Sequence, residues 1–527
     1  ALDPRRRAPV STATSATLER LLAEAERQLV QGRLADASRA LSGAAAIAPR
    51  HPAVQRVQGL HALRRGDHAA AAAALQVAAA QLAPDVVLQD QLARAQSGAG
   101  DSDAAFASWR RACEQFPDSA EAWFNLAGAL GAHADVAAAL DPLQRCVALA
   151  PEHRVARVML GDTLAQLGRI DEAAAHYREV LRTRPDTGHA WWGLANLKTL
   201  RFEAHERAAM SAVLARPELP EHHRTVLGFA LGKAHEDAGD HAAAYAAFVE
   251  ANARMRRRLP WDARAFRSAM QRMRDAFERT PAGAPERGLG REVIFVVSLP
   301  RAGSTLVEQI LAAHPQVEGA CELGDVEAVI RAESARRRRD FPQWAATATP
   351  ADWQRLGEDY LARTARWRMQ RPRSTDKMPG NWIYTGAIRA MLPGARIVDC
   401  RRDTLETAWS CFRQVFAAVQ HWSYDLADVA DYCKVHAATM AFWHARHPDH
   451  LREQVHEALL AEPEREIRAL LEFCGLGFDP ACLAFHRAPR AVRSASAAQV
   501  RQPLQASTAR TAAYGDLLNA LRAALDT

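Results

Sequence analysis

Small and apolar residues recur through the first half of the chain with a single period of 34. Gly32, Gly66, Gly100 and Gly168 share one phase, with Ala134 in the same register. Five positions on stand Ala37, Ala71, Ala105, Ala139 and Ala173, and seventeen positions on stand Pro49, Ala83, Pro117, Pro151 and Pro185. Leu92, Leu126, Leu160 and Leu194 keep the step, as do Trp123 and Trp191 two periods apart. A repeat of this length reads as a pair of antiparallel helices that buries its apolar face only by stacking on its neighbours. Gly or Ala ends the first helix at a tight turn where a larger side chain would clash. The following Ala lets the second helix come close, and Pro closes it. The pattern weakens over 200–225, where Phe202 takes the turn phase, and returns shifted at Leu231, Gly232, Gly239 and Ala244. Six or seven helical pairs ending near Arg258 are predicted.

The rhythm then changes. A basic run at 254–260 closes the repeats, a helix is expected over 261–279, and the Gly/Pro-rich stretch 280–290 reads as a linker. VIFVVS at 293–298 is the continuous apolar run of a strand buried on both faces. LPRAGST is a tight turn, and Leu306, Ile310 and Leu311 then fall at helical spacing. A strand–loop–helix unit points unpaired N–H groups and a positive dipole end at an anion. Gly303 permits close approach of an oxygen, Ser304 and Thr305 add hydroxyls, and Arg301 adds a charge. No Lys precedes Ser304, so this is not the GxxxxGK[ST] loop of the ATP-binding type. A second strand, RIVDC, lies within 395–414, where Arg402 precedes Ser410 by eight residues with a helix starting between them. The predicted fold is an α solenoid followed by an α/β domain, P-loop-like, whose parallel sheet is flanked by helices. The expected segments are a tail (1–16), repeats (17–258), a connection with its helix (259–290) and the α/β domain (291–527).

A chain of 527 residues, 49% apolar and 24% charged, has room for two to four globular domains. Its net charge of +6 suits anionic ligands but is common without them. The eight cysteines are scattered and form no CxxC pair, which excludes a zinc or disulfide framework and favours a reduced, cytoplasmic setting. No apolar run approaches the ~18–20 residues of a membrane span. The opening RRR has no apolar core behind it, unlike a signal peptide. Nothing in the sequence calls for nucleic acid or a metal.

The 34-residue period resembles the tetratricopeptide repeat (TPR), most clearly at 119–151 with EAWFNLAGAL. That resemblance implies a groove that docks a peptide or protein, or else a scaffold or dimerisation element; a C2 homodimer is compatible with it. PRAGSTL, followed by a strand ending in RD with Ser eight residues past the Arg, looks like the sulfotransferases that use 3′-phosphoadenosine-5′-phosphosulfate (PAPS). By that resemblance Arg301, Ala302, Gly303, Ser304 and Thr305 hold the 5′-phosphosulfate, and Arg402 and Ser410 hold the 3′-phosphate. Two further segments are similar to tyrosylprotein sulfotransferases. Glu322, in HPQVEGACELGD, stands where they carry a catalytic glutamate, and Lys377, in STDKMPGNW, where they carry a lysine. The stretch 470–504 also looks like this subgroup, so that Ser496 and QVRQP close over the nucleotide with Arg501 or Arg510 nearby. TARTAAY departs from the family's GRW segment, which bears on Arg510.

The resemblance covers about 291–515, and the whole chain resembles bacterial TPR–sulfotransferase fusions. It implies in-line sulfuryl transfer that releases adenosine 3′,5′-bisphosphate. Glu322 is the general base, Lys377 and Arg301 stabilise the leaving oxygen, and no metal is needed. Asp325 competes with Glu322 for the base's role, and His421 is a weaker acceptor-side candidate. The acceptor is a protein tyrosine, or alternatively a carbohydrate or small-molecule hydroxyl. A non-enzymatic scaffold with a nucleotide-binding domain is the remaining reading. The missing GK[ST] argues against a kinase.

Overall fold

The computed structural model describes residues 12–132, 136–198, 200–278, 288–416, 419–488, 490, 492, 497, 499–504 and 509–526. By its internal contacts the chain forms two compact units, Ala1–Thr163 and Leu164–Thr527. The division falls inside the repeats, so the second unit carries the last helical pairs together with the α/β part.

Seven helical pairs are described, from Thr12–Val30 with Leu34–Ile47 to Glu221–Asp237 with His241–Arg258. The shared turn phase has positive φ: 73° at Gly32, 75° at Gly66, 89° at Gly100 and 85° at Gly168. Such angles are costly for any residue with a Cβ. The alanines five positions on are buried throughout. A further regularity lies six residues past the proline phase. Gln55, Trp123, Arg157 and Trp191 each donate a side-chain N–H to the carbonyl of Pro49, Pro117, Pro151 and Pro185, at 2.7, 2.8, 2.8 and 2.9 Å. Amide, indole and guanidinium are interchangeable there because each reaches a carbonyl that the broken helix leaves unpaired.

In the second unit five parallel strands line up in the order β2-β3-β1-β4-β5. They are β1 (Val293–Ser298), β2 (Val317–Gly319), β3 (Arg373–Asp376), β4 (Arg396–Arg401) and β5 (Leu451–Val455). Every residue of β1 is buried because both faces are covered. Val293, Phe295 and Val297 join a core with Met270, Phe277, Trp409 and Trp443. Ile294 and Val296 join another with Leu306, Ile310, Ile467 and Leu470. The first of these cores also takes in Phe229, Ala244 and Phe248 from the last repeat, so the repeat helices and the sheet share one interior. The helix expected over 261–279 spans Ala263–Glu278 and packs Met270, Met273 and Phe277 into this core.

Chain order reverses between β1 and β4: after β1 the chain builds β2 and β3 on one side, then crosses to β4 and β5 on the other. A crevice opens at the C-terminal ends of strands at such a point. Ser298 pairs with Cys400, so the loops after β1 and β4 leave the sheet at the same level. Among the described residues, no helix is long and apolar enough to cross a membrane.

Candidate active site

The loop after β1 turns sharply. Arg301 has φ 71°, a region that non-glycine residues rarely enter, and Gly303 has φ 98°. A Cβ on Gly303 would stand 2.9 Å from His456 Nδ1, so the position demands glycine twice over. Helix Ser304–Ala313 starts directly after it, with Gly303 at the N-cap, which has no side chain to cap the helix. Ala302, Ser304 and Thr305 are buried beside that helix end.

The loop after β4 meets this one. Arg301 Nε donates to Ser410 Oγ at 3.1 Å, and Cys411 Sγ to the Pro300 carbonyl at 3.2 Å. Residues far apart in sequence thus meet at one basic cluster. Arg402 pairs with Glu406 at 3.4 Å. Glu406 also accepts from the Arg510 and Thr511 backbone N–H groups at 2.8 and 2.7 Å, which ties the C-terminal segment to this helix. Arg510 itself reaches Glu236 Oε2 at 2.9 Å, and Arg413 pairs with the same carboxylate. Burial, with Arg413, Arg402 and Arg510 nearby, lowers Arg301 to about 10, where the guanidinium is still charged at neutral pH. So the structure brings Arg510 into the Arg301–Arg402 group despite the altered segment around it.

The second half of the site is an acid–amine pair. Lys377 Nζ contacts Glu322 Oε1 at 2.5 Å, with the lysine side chain 1% exposed and the glutamate 40%. Solvent therefore reaches the carboxylate, while the amine is buried behind it. Burial opposes the charge on Lys377, but Glu322 and Glu308 outweigh it and raise its pKa. The residue before Glu322, Cys321, sits at φ 62°. Its N–H donates to Glu308 Oε1 (2.8 Å), its carbonyl accepts from the Lys377 N–H (3.0 Å), and its sulfur lies 3.1 Å from Arg490 Nη2. Strain of roughly 1–3 kcal/mol at such an angle persists only when neighbours hold it, and here three do. Beside Lys377, burial raises Asp376 to about 8, although Tyr360 donates to it at 2.8 Å.

Arg501 goes elsewhere: it donates to the carbonyls of Gln166 (2.8 Å) and Arg490 (2.7 Å), and no contact among the described residues joins it to Arg402 or Ser410. Ser496 lies outside the described residues. His421 contacts the Pro260 carbonyl at 3.3 Å, and Asp325 begins helix Asp325–Arg337, where burial raises its pKa. Arg336 and Arg337 join a network around buried Glu333. Sequence reasoning missed Glu308, Arg490, Arg413 and Glu236. Glu308 carries a visible signal, an acid among the apolar positions of STLVEQIL. Asp399, His444 and Glu453 bring donor atoms within 4.8 Å of one another, but the Arg401 guanidinium, 2.8 Å from Asp399 Oδ2, already supplies a cation there.

Comparison with known proteins agrees with this architecture. A sulfotransferase family model matches residues 293–480, and three tetratricopeptide repeat models match 22–86, 86–129 and 132–197. An uncharacterized protein of Aquifex aeolicus (strain VF5) is 29% identical over 384 residues, 70% of this chain and 50% of its own length. The chain thus spans about half the length of the curated relative it matches. A tetratricopeptide repeat protein from Parabacteroides merdae is 16% identical, covering 45% of this chain and 93% of its own with a TM-score of 0.34. YrrB, a TPR protein with an unusual peptide-binding site, is 17% identical, covering 36% and 100% with a TM-score of 0.30. The chain therefore joins tetratricopeptide repeats to a sulfotransferase family domain.

Proposed function

We propose that the chain moves the sulfuryl group of PAPS to an acceptor hydroxyl, with a peptide tyrosine as the acceptor and the repeats as its docking element. The observation that carries this reading is the Arg301–Ser410 hydrogen bond, which merges the loop suited to a 5′-phosphosulfate with the helix suited to a 3′-phosphate. The residues fit a doubly phosphorylated nucleotide. The uncapped helix end at Gly303 offers N–H groups, and Arg301, Arg402 and Arg510 supply charge for oxygens that accept strong hydrogen bonds.

In the reaction the acceptor oxygen attacks sulfur in line with the bridging oxygen of the 5′-phosphate. The new S–O bond forms as the old one breaks, the electron pair stays on the departing phosphate, and the acceptor proton passes to Glu322. A loose transition state of this kind gains most from positioning and charge. The acid is accessible and the amine beside it cationic, as a base and a leaving-oxygen stabiliser must be. Lys377 exchanges its contact with Glu322 for the bridging oxygen as charge builds there. Asp376, Tyr360 and Asn381 hold the turn that carries it. The tyrosine assignment is supported by this Glu–Lys pairing and by the repeats, which suit a protein partner.

Calorimetric titration with adenosine 3′,5′-bisphosphate, with ATP and 5′-AMP as controls, tests the donor. Selective binding of the bisphosphate is expected, and equal affinity for ATP would remove the reading in favour of a scaffold. Incubation with PAPS and tyrosine-containing peptides then tests the acceptor. Sulfation of a carbohydrate instead would replace tyrosine.

A further inference from the structure

Glu322 stands just past the end of a strand. β2 pairs with β3 as far as Gly319, opposite Thr375. Beyond that pair side chains take over from the ladder. The Ala320 N–H donates to Thr375 Oγ1 at 3.2 Å, and the Cys321 N–H to Glu308 Oε1 at 2.8 Å. Both residues are buried, so these N–H groups must find acceptors within the protein. Backbone bonding resumes where the Lys377 N–H donates to the Cys321 carbonyl at 3.0 Å. Between these bonds Cys321 takes its φ of 62°, and Glu322 follows directly.

Glu308 joins the parts of this turn. Thr375 donates its hydroxyl to the same Oε1 at 2.9 Å, and Arg490 Nη2 lies 3.5 Å from it. Arg490 also donates to Gln309 Oε1 at 3.1 Å and to the Gly319 carbonyl at 3.2 Å. A Cβ on Gly319 would stand 2.6 Å from the Arg490 guanidinium carbon, so glycine leaves the room that this side chain fills. Glu308 is 1% exposed and lies one turn past Ser304, on the helix that the loop after β1 begins. One buried carboxylate therefore connects that helix to the backbone carrying Glu322 and, through Thr375 of β3, to the segment carrying Lys377. It contributes charge as well: burial opposes the Lys377 ammonium, and Glu322 and Glu308 outweigh it.

We propose that Glu308 is a positioning residue, which sets the Glu322–Lys377 pair in register with the loop after β1 by holding Cys321 at its left-handed angle. The reaction assigned to that pair rests on the reading above; the hold on Cys321 does not.

Two measurements on the full chain test it. The first is hydrogen–deuterium exchange of the fragment 317–324, which needs no substrate. In E308A this fragment should exchange roughly tenfold faster while the β1 fragment 293–298 keeps its wild-type rate. Should E308A lose protection in β1 too, E308Q, which keeps the volume, is read in the same way. Wild-type protection of 317–324, or loss across β1 in both variants, overturns the proposal.

The second is transfer from PAPS to a tyrosine peptide by E308Q in three backgrounds. Glutamine keeps the length of the side chain but has a single acceptor oxygen and no charge. Alanine at 321 keeps a Cβ and its strain, whereas glycine accepts the positive φ freely. E308Q should lower kcat about tenfold or more beside Cys321 and in C321A, but about threefold or less in C321G. The KM for PAPS should stay within about twofold throughout, because the group holds the acid–amine pair and not the nucleotide. The same loss in all three backgrounds, or a matching rise in KM, overturns the positioning role. A wild type that transfers nothing from PAPS overturns the reaction assigned above, and the exchange measurement then decides the hold on Cys321 alone.

Discussion

The repeats of the first unit and those of the second follow one 34-residue rule and reach different ends. In the first, the buried positions are mostly Ala and Leu, and polar contacts run within and between repeat helices: caps such as Asp67, which accepts from the Ala70 N–H, exposed pairs such as Arg39 with Asp36, and helix-to-helix bonds such as Trp109 to Asp90. In the second, the helices bury Glu236, Asn252 and Thr225, and Glu236 takes Arg413, Arg510 and Tyr514 from the α/β part. A solenoid needs only small residues at its close approaches to stack on itself. Where it also walls a charged pocket, it must bury polar groups and find partners for them. Departures from the repeat rule therefore mark where the array serves something other than itself.

The comparison would break most visibly at the chemistry. On the reading above, E322Q lowers kcat by about 10²–10⁴ and K377A by about 10²–10³, since one removes a general base and the other a charge stabiliser. Neither should alter binding of a partner by the first unit. Steady-state kinetics on a peptide acceptor measures this, and a K377A enzyme with wild-type turnover would return the protein to the scaffold reading.

Next in size is Glu236. Burial works against its charge, yet Arg413, Arg510 and Tyr514 keep its pKa below the ordinary carboxylate value. Removing one partner of such a buried cluster costs about 3–5 kcal/mol, against at most ~1 kcal/mol for an exposed pair like Arg39–Asp36. E236A should therefore unfold at clearly lower urea than D36A. Because the folded pKa is depressed, the contribution of Glu236 is present above the unfolded value of about 4.3 and is lost as pH falls through the folded one. Equal midpoints for the two variants would mean that the second unit's repeats are as self-contained as the first's.

Asp376 carries the opposite sign. Its folded pKa of about 8 lies above the unfolded value, so its contribution is full in acid and is lost as pH rises through about 8. D376N should flatten that part of the stability–pH curve, read from melting temperatures at pH 5.5 and 8.5. A wild type equally stable at both, with D376N unchanged, would mean the carboxyl is ionised in the fold.

These groups also show how far the sequence could be read. β1 and β4 announce themselves as apolar runs, Arg301 and Gly303 follow from the strand–loop–helix unit, and Arg402 and Ser410 are singled out by what the family resemblance implies. The strands β2, β3 and β5 read VEG, RSTD and LREQV, too short and polar to signal a sheet. Their pairing is set by β1 and β4 once those are in place. Glu308 shows in the sequence only as an acid among apolar positions, and its partners Cys321, Thr375 and Arg490 come from distant segments that the sequence does not connect to it. Glu236 carries no signal in the sequence, because local periodicity holds no record of the domain packed against it.

The smallest effect probes the rule itself. Trp123 in the first unit and Trp191 in the second make the same indole–carbonyl bond two periods apart, at 2.8 and 2.9 Å. Replacing either with Phe keeps a ring and removes one hydrogen bond, worth about 0.5–1.5 kcal/mol. Were the bond all that mattered, W123F and W191F would shift the urea midpoint equally. Trp191 is also buried, against Phe202 at 6.2 Å in the pair that ends its first helix at Lys198. W191F should therefore cost slightly more than W123F, the difference read from the two urea midpoints. Equal midpoints would mean that the packing of Trp191 against Phe202 adds nothing to the shared hydrogen bond.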